Sequence, residues 1–227
     1  MHDTIIEQST IGTGTVPPLY ESKPLYEQRV KRLFDIASAL TLLIIFAPTC
    51  LIIYFLTRAD GGPVLFRHKR IGAKGQSFDC LKFRTMTTNA DDVLVNHLQA
   101  NPDARLEWEA TFKLRDDPRV TPIGRILRKT SLDELPQLIN VLKGDMSMVG
   151  PRPIVEKEIA FYGNHFGAYI RCRPGITGAW QIQGRSDTTY VRRVNLDVAY
   201  VTDWSIAQDM LILIKTPLVV IRGSGAY

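Results

Sequence analysis

The residues best suited to chemistry are two adjacent carboxylates in the segment Ser131-Leu132-Asp133-Glu134. Basic side chains crowd the stretch before them: Arg115, Arg119, Arg125, Arg128 and Lys129. Carboxylates at a helix start in a basic field are suited to bind Mg²⁺ and to supply an ionised nucleophile. The same segment also fits a capping box, with Ser131 as N-cap and Glu134 at the third helical position. Pro136 weakens that second interpretation, because it would remove an early helix hydrogen bond. Both interpretations stay open on the sequence alone.

Three cations elsewhere are suited to bind phosphate. If Lys82-Phe83-Arg84 is a strand, Lys82 and Arg84 project from one face and form either a phosphate clamp or an ordinary solvated face. Arg152 lies between Pro151 and Pro153, which restrict the backbone on both sides. A guanidinium presented so rigidly suits bidentate phosphate binding, although a surface turn explains it equally well.

A fourth candidate is the loop Arg171–Trp180, followed by Gly184-Arg185. Its glycines allow a ligand to approach the backbone, and Trp180 offers a face for stacking or, more commonly, a core side chain. The sequence contains no Walker loop, no GxGxxG and no HExxH motif.

The composition excludes several classes of protein. The 227 residues include 28 Lys+Arg and 23 Asp+Glu, a formal charge of +5, and 45% are hydrophobic. These values are ordinary for a globular chain and exclude wholesale disorder and a polytopic transporter. The three cysteines lie far apart with no CxxC, so buried reduced thiols are expected rather than disulfides or structural zinc.

One segment is predicted to enter a membrane. Residues 36–56 contain no charge, and as a helix they would extend roughly 31 Å, enough to reach across a bilayer core. Residues 1–28 before it are rich in Thr, Gly, Pro and Glu and are predicted to be a flexible tail rather than a secretory signal.

Both flanks of this segment are basic, whereas the positive-inside rule lets a spanning helix place only one basic flank in the cytoplasm. Pro48 lies just past its middle, where a break in the helix is expected. A re-entrant helix that bends at Ala47-Pro48 would place both flanks on one side. We therefore predict a re-entrant segment over 29–60, with a spanning helix as the alternative.

The remaining elements, residues 61–227, are predicted to be mostly helical. Strands at 64–66 and 77–83 are expected to form a hairpin around Gly72 and Gly75. The predicted helices cover 89–114, with a break at Asn101-Pro102, then 123–128, 131–143 and 188–202, and loops are predicted at 149–153 and 173–185. The apolar run 206–221 contains Lys215 and Pro217, which suits a core helix or one in the membrane interface.

These motifs, in this order, resemble the bacterial sugar transferases. The resemblance covers about residues 29–223 and rests on KFRTM, on SLDELPQL, on VGPRP and on RPGITGAWQIQGR. Those enzymes are monotopic phosphoglycosyl transferases, and the members that begin exopolysaccharide synthesis are especially similar.

The resemblance implies a role for each matching residue. Asp133 would be the covalent nucleophile, and Glu134 would assist with Mg²⁺. Lys82, Arg84 and Arg152 would bind phosphate, and Arg185 would lie near the nucleotide. The family's Ser-Pro bend is Ala47-Pro48 here, so the hydroxyl is lost and Thr49 becomes a candidate partner for the freed carbonyls.

We therefore expect a mainly helical α+β monotopic enzyme at the cytoplasmic face of the bacterial inner membrane. It would transfer a sugar-1-phosphate, galactose or glucose, from a UDP-sugar to undecaprenyl phosphate and release UMP. No nucleic-acid partner is expected, and a homo-oligomer is possible. The rival hypothesis is a non-enzymatic, membrane-anchored scaffold that binds acidic lipid or a partner protein.

Overall fold

The structure, a computed structural model, describes residues 25–59, 61–183 and 189–221. The helices are α1 (Leu25–Arg58), α2 (Ala90–Ala100), α3 (Pro102–Thr111), α4 (Pro122–Thr130), α5 (Gln137–Lys143), α6 (Ile159–Tyr162), α7 (Phe166–Tyr169), α8 (Ala179–Ile182), α9 (Tyr190–Asp203) and α10 (Ile206–Ile221). The strands are β1 (Leu65–Ile71), β2 (Ser77–Phe83), β3 (Ser147–Val149) and β4 (Gly175–Thr177). The expected mainly helical α+β class is confirmed.

Helix α1 is the longest element and the most apolar. It begins at Leu25, before the expected boundary at residue 29, and the helical assignment continues through Pro48. Residues Gln28–Arg58 are long and apolar enough to cross a membrane, and only 11% of the most apolar window is buried. An uncovered apolar helix of this length is typical of a segment that meets lipid.

The N-terminal half of α1 packs on the rest of the protein. The Arg32 guanidinium donates to the main-chain oxygens of Val141 and Leu142, at 2.6 and 3.0 Å, and so binds the end of α5. Ala39 is fully buried in a cluster that includes Val141. A small side chain at this position allows α1 and α5 to pack closely.

The C-terminal half of α1 contacts a different part of the same body. Ile53 is buried in a cluster with Phe83 of β2 and Leu127 of α4. The main-chain oxygen of Thr57 accepts a hydrogen bond of 3.0 Å from Arg84. The two halves of α1, on either side of Pro48, therefore both contact the folded body through a few buried residues, while most of the apolar window stays exposed.

Buried carboxylates fix α1 to its neighbours. Asp35 is 1% exposed and accepts from the Ser147 hydroxyl and the Met148 N–H, both at 3.0 Å. These bonds join the helix directly to β3. A buried carboxylate needs such donors, because leaving it unpaired would cost several kcal/mol.

Asp209, in the first turn of α10, is the second buried carboxylate. Its oxygens accept from the Lys31 ammonium at 2.7 Å, the Tyr200 hydroxyl at 2.7 Å and the Trp204 indole N–H at 3.0 Å. The three donors come from α1, from α9 and from the residue that follows α9. One side chain thus holds α1, α9 and α10 together.

The predicted hairpin is confirmed, and its first strand is longer than expected. β1 and β2 pair antiparallel from Leu65 opposite Phe83 to Ile71 opposite Ser77. Asn140 of α5 pairs with an inner stretch of β2: its amide accepts from the Leu81 N–H at 2.9 Å and donates to the Asp79 oxygen at 2.8 Å. These bonds fix β2 beside α5 and so help to position Lys82, the residue that follows Leu81.

The break predicted at Asn101-Pro102 is confirmed, since α2 ends before it and α3 begins at Pro102. The prediction of loops at 149–153 and 173–185 is partly wrong. β3 and β4 pair parallel, with Ser147 opposite Gly175, and α8 follows. A Cβ added at Gly175 would lie 2.1 Å from the Gly150 nitrogen, so only glycine permits this close pairing.

Helix α10 runs without a break through Lys215 and Pro217. Ile212 is buried in the main core, whereas Met210, Leu211, Ile214 and Leu218 are exposed large apolar residues. The helix therefore has a buried face, as a core helix does, together with an uncovered apolar face, and its placement in the membrane interface stays a prediction.

Candidate active site

The acidic pair lies in a single 3-10 turn, Leu132–Glu134, between α4 and α5. Ser131 has a φ of 56°, and its N–H donates to the Arg128 and Leu127 oxygens, so it ends α4 instead of starting a helix. Its side chain makes no capping hydrogen bond within the described structure. The capping-box interpretation is therefore wrong, because Ser131 already terminates the preceding helix. The acids are left to face a cleft.

Lys82 of β2 meets both carboxylates. Its ammonium lies 2.6 Å from Glu134 Oε1 and 3.6 Å from Asp133 Oδ2. Burial alone would lower the pKa of Lys82, but the two carboxylates outweigh it and raise the pKa above its usual value. Lys82 is therefore held firmly in its charged form between the two acids.

Asp133 is 8% exposed. Burial raises the pKa of its carboxyl, the charge of Glu134 adds to that rise, and Lys82 and Arg128 oppose it. Desolvation thus makes this carboxylate more basic than one in water, while the neighbouring cations favour its charged form. This is the environment that an attacking carboxylate needs.

The acids open onto a cleft of about 740 Å³. Its lining includes the acidic pair, four cations and two side chains from α8: Lys82, Arg84, Arg119, Arg128, Asp133, Glu134, Trp180 and Gln181. Asp91 also lines the cleft, so four cations stand against three carboxylates, and this small excess of positive charge suits an anionic ligand.

Arg119 and Arg128 were seen in the sequence only as part of a basic stretch, not as individual site residues. Arg128 Nε donates to the Thr85 hydroxyl at 3.0 Å, and Arg119 forms a two-point ion pair with Asp117 at 2.8 and 2.7 Å. The positions of Arg119 and Arg128 along the chain form no periodic pattern that would have marked them as site residues. The segment Thr85–Thr88, which also lines the cleft, follows β2 directly and was likewise not predicted.

Arg84 lines the cleft, but its guanidinium binds the main chain. Its nitrogens donate to the oxygens of Pro63 at 2.7 Å, Met86 at 2.9 Å and Thr57 at 3.0 Å. The side chain is 8% exposed. In this structure Arg84 connects β2 to α1 and the segment before β1, and its role as a phosphate ligand stays a prediction.

Arg152 does not line the cleft itself, but it contacts Trp180, which does. The guanidinium carbons of Arg152 and Arg193 lie 5.4 and 4.9 Å from the Trp180 ring centre.

Burial raises the pKa of nearby Asp197 to about 7, although the Tyr162 hydroxyl donates to it at 2.7 Å and the Arg152 backbone also bonds to it. Arg185 lies outside the described residues.

A divalent cation has two protein ligands available here. No group of three or more His, Cys, Asp or Glu side chains suited to hold a metal occurs among the described residues. Mg²⁺ is commonly bound by one or two carboxylates, with substrate phosphates and water completing its shell. The adjacent oxygens of Asp133 and Glu134 in an open cleft fit that requirement.

Comparison with known proteins identifies the family that the chain matches. The profile of the family described as "Bacterial sugar transferase" matches residues 26–223. The chain is 51% identical over 198 residues to exopolysaccharide production protein ExoY of Rhizobium meliloti, covering 87% of this chain and 88% of that protein. It is 50% identical to undecaprenyl-phosphate galactose phosphotransferase of Salmonella typhimurium, covering 87% of this chain but 42% of that longer protein. It is 37% identical to UDP-glucose:undecaprenyl-phosphate glucose-1-phosphate transferase of Caulobacter vibrioides, covering 87% and 72% respectively.

Proposed function

Because the chain belongs to the bacterial sugar transferase family, we propose that it transfers a sugar-1-phosphate from a UDP-sugar to undecaprenyl phosphate, as the first step of exopolysaccharide repeat-unit assembly. The names of two relatives specify undecaprenyl phosphate as the acceptor, and one of them specifies a UDP-sugar donor. The observation that carries the proposal is the buried acid Asp133, beside Lys82 and Glu134, at the wall of a cation-lined cleft.

The reaction proceeds through a covalent intermediate on Asp133. A carboxylate oxygen of Asp133 attacks the phosphorus that bears the sugar, a new P–O bond forms, and the P–O bond to UMP breaks. An oxygen of undecaprenyl phosphate then attacks the same phosphorus and releases the Asp133 carboxylate. Each step exchanges one P–O bond for another, so no oxidant or net proton is required.

The cations of the cleft make the attack feasible. A carboxylate approaching a diphosphate meets like-charge repulsion, which neighbouring positive charge reduces. Lys82, Arg119 and Arg128 line the cleft, and Lys82 lies within 3.6 Å of the attacking carboxylate. Lys82 therefore both orients Asp133 and offsets the charge of the incoming phosphates.

Asp133 and Glu134 would also hold Mg²⁺, together with the substrate phosphates. When bound, the ion would supply positive charge to the diphosphate. Glu134 Oε1 lies 2.6 Å from the Lys82 ammonium, so Lys82 neutralises this oxygen when the site holds no ion. Glu134 thus contributes by placing charge and not by attacking phosphorus.

The protein acts from one side of the membrane, with α1 as a re-entrant segment. Two observations support this topology. Arg32 contacts α5, and Thr57, near the other end of α1, contacts Arg84, so both ends touch the same catalytic body. A helix that crossed a hydrocarbon core of about 30 Å would place its ends on opposite sides. The basic flanks also favour the cytoplasmic side for both ends.

The test is the release of UMP from a UDP-sugar by purified protein in detergent, with and without undecaprenyl phosphate. Wild type without acceptor should release at most about one UMP per active site and retain the phosphosugar. Asp133→Asn should do neither, Glu134→Gln should react slowly, and Arg67→Gln, an exposed residue of β1, should behave as wild type. Turnover by Asp133→Asn, or release of no UMP from UDP-galactose and UDP-glucose, would contradict the proposal.

Topology is tested separately with single cysteines in a background without Cys50, Cys80 and Cys172. Gln28→Cys and Arg67→Cys flank the membrane segment, and a membrane-impermeant thiol reagent should label both from the cytoplasmic side only. Pro48→Ala should shift some molecules towards opposite labelling of the two sites, since it restores a helix hydrogen bond. Opposite labelling in the protein that retains Pro48 would show a spanning helix.

A further inference from the structure

A second cavity lies at the membrane-proximal start of α1, and the site described above does not use it. Its volume is about 540 Å³, within the range of roughly 300–1,000 Å³ that is usual for small-ligand sites. It lies between the N-terminal part of α1, the tip of the β1–β2 hairpin, β3 and the ends of α7 and α9. None of its lining residues lines the catalytic cleft.

The charges around this cavity are unbalanced. Lys31, Lys74, Arg171 and Arg173 line it, against Asp35 as the single carboxylate. Asp35 already has Lys31 at 3.6 Å and two hydrogen bonds from β3. Lys74, Arg171 and Arg173 form no ion pair with any carboxylate of the described chain. Three cations therefore face one opening without a neutralising acid.

The floor of the cavity is rigid and partly apolar. Tyr200 is 3% exposed, and its hydroxyl donates to Asp209 at 2.7 Å and lies 2.9 Å from the Val149 oxygen. The Trp204 indole is fixed to the same Asp209 at 3.0 Å. Arg173 Nε donates to the Gly144 oxygen at 2.7 Å, which fixes its position at the rim. The cations therefore surround a preformed hollow.

We propose that this cavity binds a phosphate group, from either an anionic phospholipid headgroup or a soluble phosphoester. Guanidinium and ammonium groups are the common protein ligands for phosphate, and three of them suit a group that carries more than one negative charge. The position favours a ligand near the bilayer surface. Asp35 lines the cavity, and the uncharged membrane segment begins at the next residue, Ile36.

The experiment uses Trp204 as a local reporter. The chain has three Trp, so Trp108→Phe with Trp180→Phe leaves only Trp204, which lines this cavity and not the catalytic cleft. Emission is recorded in two arms at constant ionic strength. One arm titrates inorganic phosphate against chloride into protein in detergent, and the other compares nanodiscs of phosphatidylcholine alone with nanodiscs that also contain phosphatidylglycerol.

The tested variant is Lys74→Asn with Arg171→Gln. Lys74 has a φ of 59°, which Asn tolerates well, and both side chains are exposed. The matched control, Lys157→Asn with Arg192→Gln, removes the same charge from exposed positions that line neither cavity. Trp204 emission should respond in at least one arm, and the variant should weaken that response at least tenfold while the control retains it.

The two arms identify the source of the phosphate. A response to phosphatidylglycerol alone would assign a lipid headgroup, a response to inorganic phosphate alone a soluble ligand, and a response in both the shared phosphate group. Silence in both arms, or equal loss in variant and control, would overturn the proposal.

Discussion

Arg84 and Thr57 join the cleft to the apolar helix α1. The Arg84 guanidinium, at the end of β2, donates to the Thr57 main-chain oxygen in the last turns of α1 at 3.0 Å. Lys82, two residues earlier, contacts the acidic pair. The acidic pair is therefore connected to the C-terminal end of α1 through Lys82 and Arg84, two positions apart in the chain.

This contact predicts that Arg84→Gln destabilises the protein. The guanidinium binds three main-chain oxygens, and each buried oxygen that loses its donor costs roughly 1–3 kcal/mol. We expect a loss of about 2–4 kcal/mol in the free energy of unfolding, measured by denaturation in detergent. Arg67→Gln, an exposed change on β1, should leave stability unchanged. A normal stability with a raised KM for the UDP-sugar would instead make Arg84 a substrate ligand.

Asp133→Asn should make the protein more stable at neutral pH while abolishing activity. Burial raises the pKa of Asp133, so the folded protein holds this proton more readily than the unfolded chain does. Its contribution is therefore fully present below the ordinary pKa of the carboxyl and is lost as the pH rises. Unfolding at pH 7.5 and pH 4 should show the variant more stable at pH 7.5, with a smaller difference at pH 4. A variant less stable at both pH values would show that the charge of Asp133 supports the fold.

The raised pKa of Asp197 predicts a second dependence of stability on pH. Burial raises its pKa from the ordinary 3.8 to about 7, so between those values the folded protein holds a proton that the unfolded chain has released. Stability should fall by up to about 1.4 kcal/mol per pH unit from pH 4 towards pH 7 on this account, and then level off. Asp197→Asn should remove that slope while keeping an acceptor for the Tyr162 hydroxyl. Equal slopes for both proteins in chemical denaturation would contradict the assignment.

The close packing of Gly124 against the Thr85 main chain predicts that a larger residue at this position would displace α4. A Cβ at this position would lie 2.1 Å from the Thr85 main-chain oxygen, too close for any side chain. Gly124→Ala should push α4 away from the cleft and move Arg128 off the Thr85 hydroxyl. We expect a loss of about 1–3 kcal/mol in stability and at least a tenfold loss in kcat/KM. Ile126→Ala, on an exposed position of the same helix, is the control, and a Gly124→Ala enzyme with full activity would argue against this packing.

The sequence predicted the elements whose signals are local. The hairpin and the break before α3 follow from turn residues and from Pro102, which act within a few positions. The acidic pair was singled out in the sequence, but its place in a 3-10 turn between α4 and α5 was not predicted. Ser131 fits the sequence pattern of an N-cap, but in the structure it is the residue that ends α4.

The remaining differences come from contacts between distant residues. Strand alternation predicted Lys82 and Arg84 on one face, as a phosphate clamp or a solvated face, but β2 ends at Phe83 and the Arg84 guanidinium binds the Thr57 oxygen of α1. β3 and β4 are three residues each and pair across a long separation in sequence, so neither carries a pattern of its own. The roles of Arg119 and Arg128 depend likewise on where α4 packs.

The burial of Ala39 and Asp35 has a consequence for how this enzyme can be handled. Both residues belong to α1, yet one completes the main hydrophobic cluster and the other is bonded to β3. Helix α1 is thus part of the wall of the protein's own core, not a detachable tether. Cutting the chain before Val64 would open the core to water and leave Ser147 without its carboxylate partner. A soluble, active fragment should therefore not be obtained by deleting the anchor, and any regulation by release from the membrane would have to unfold the enzyme.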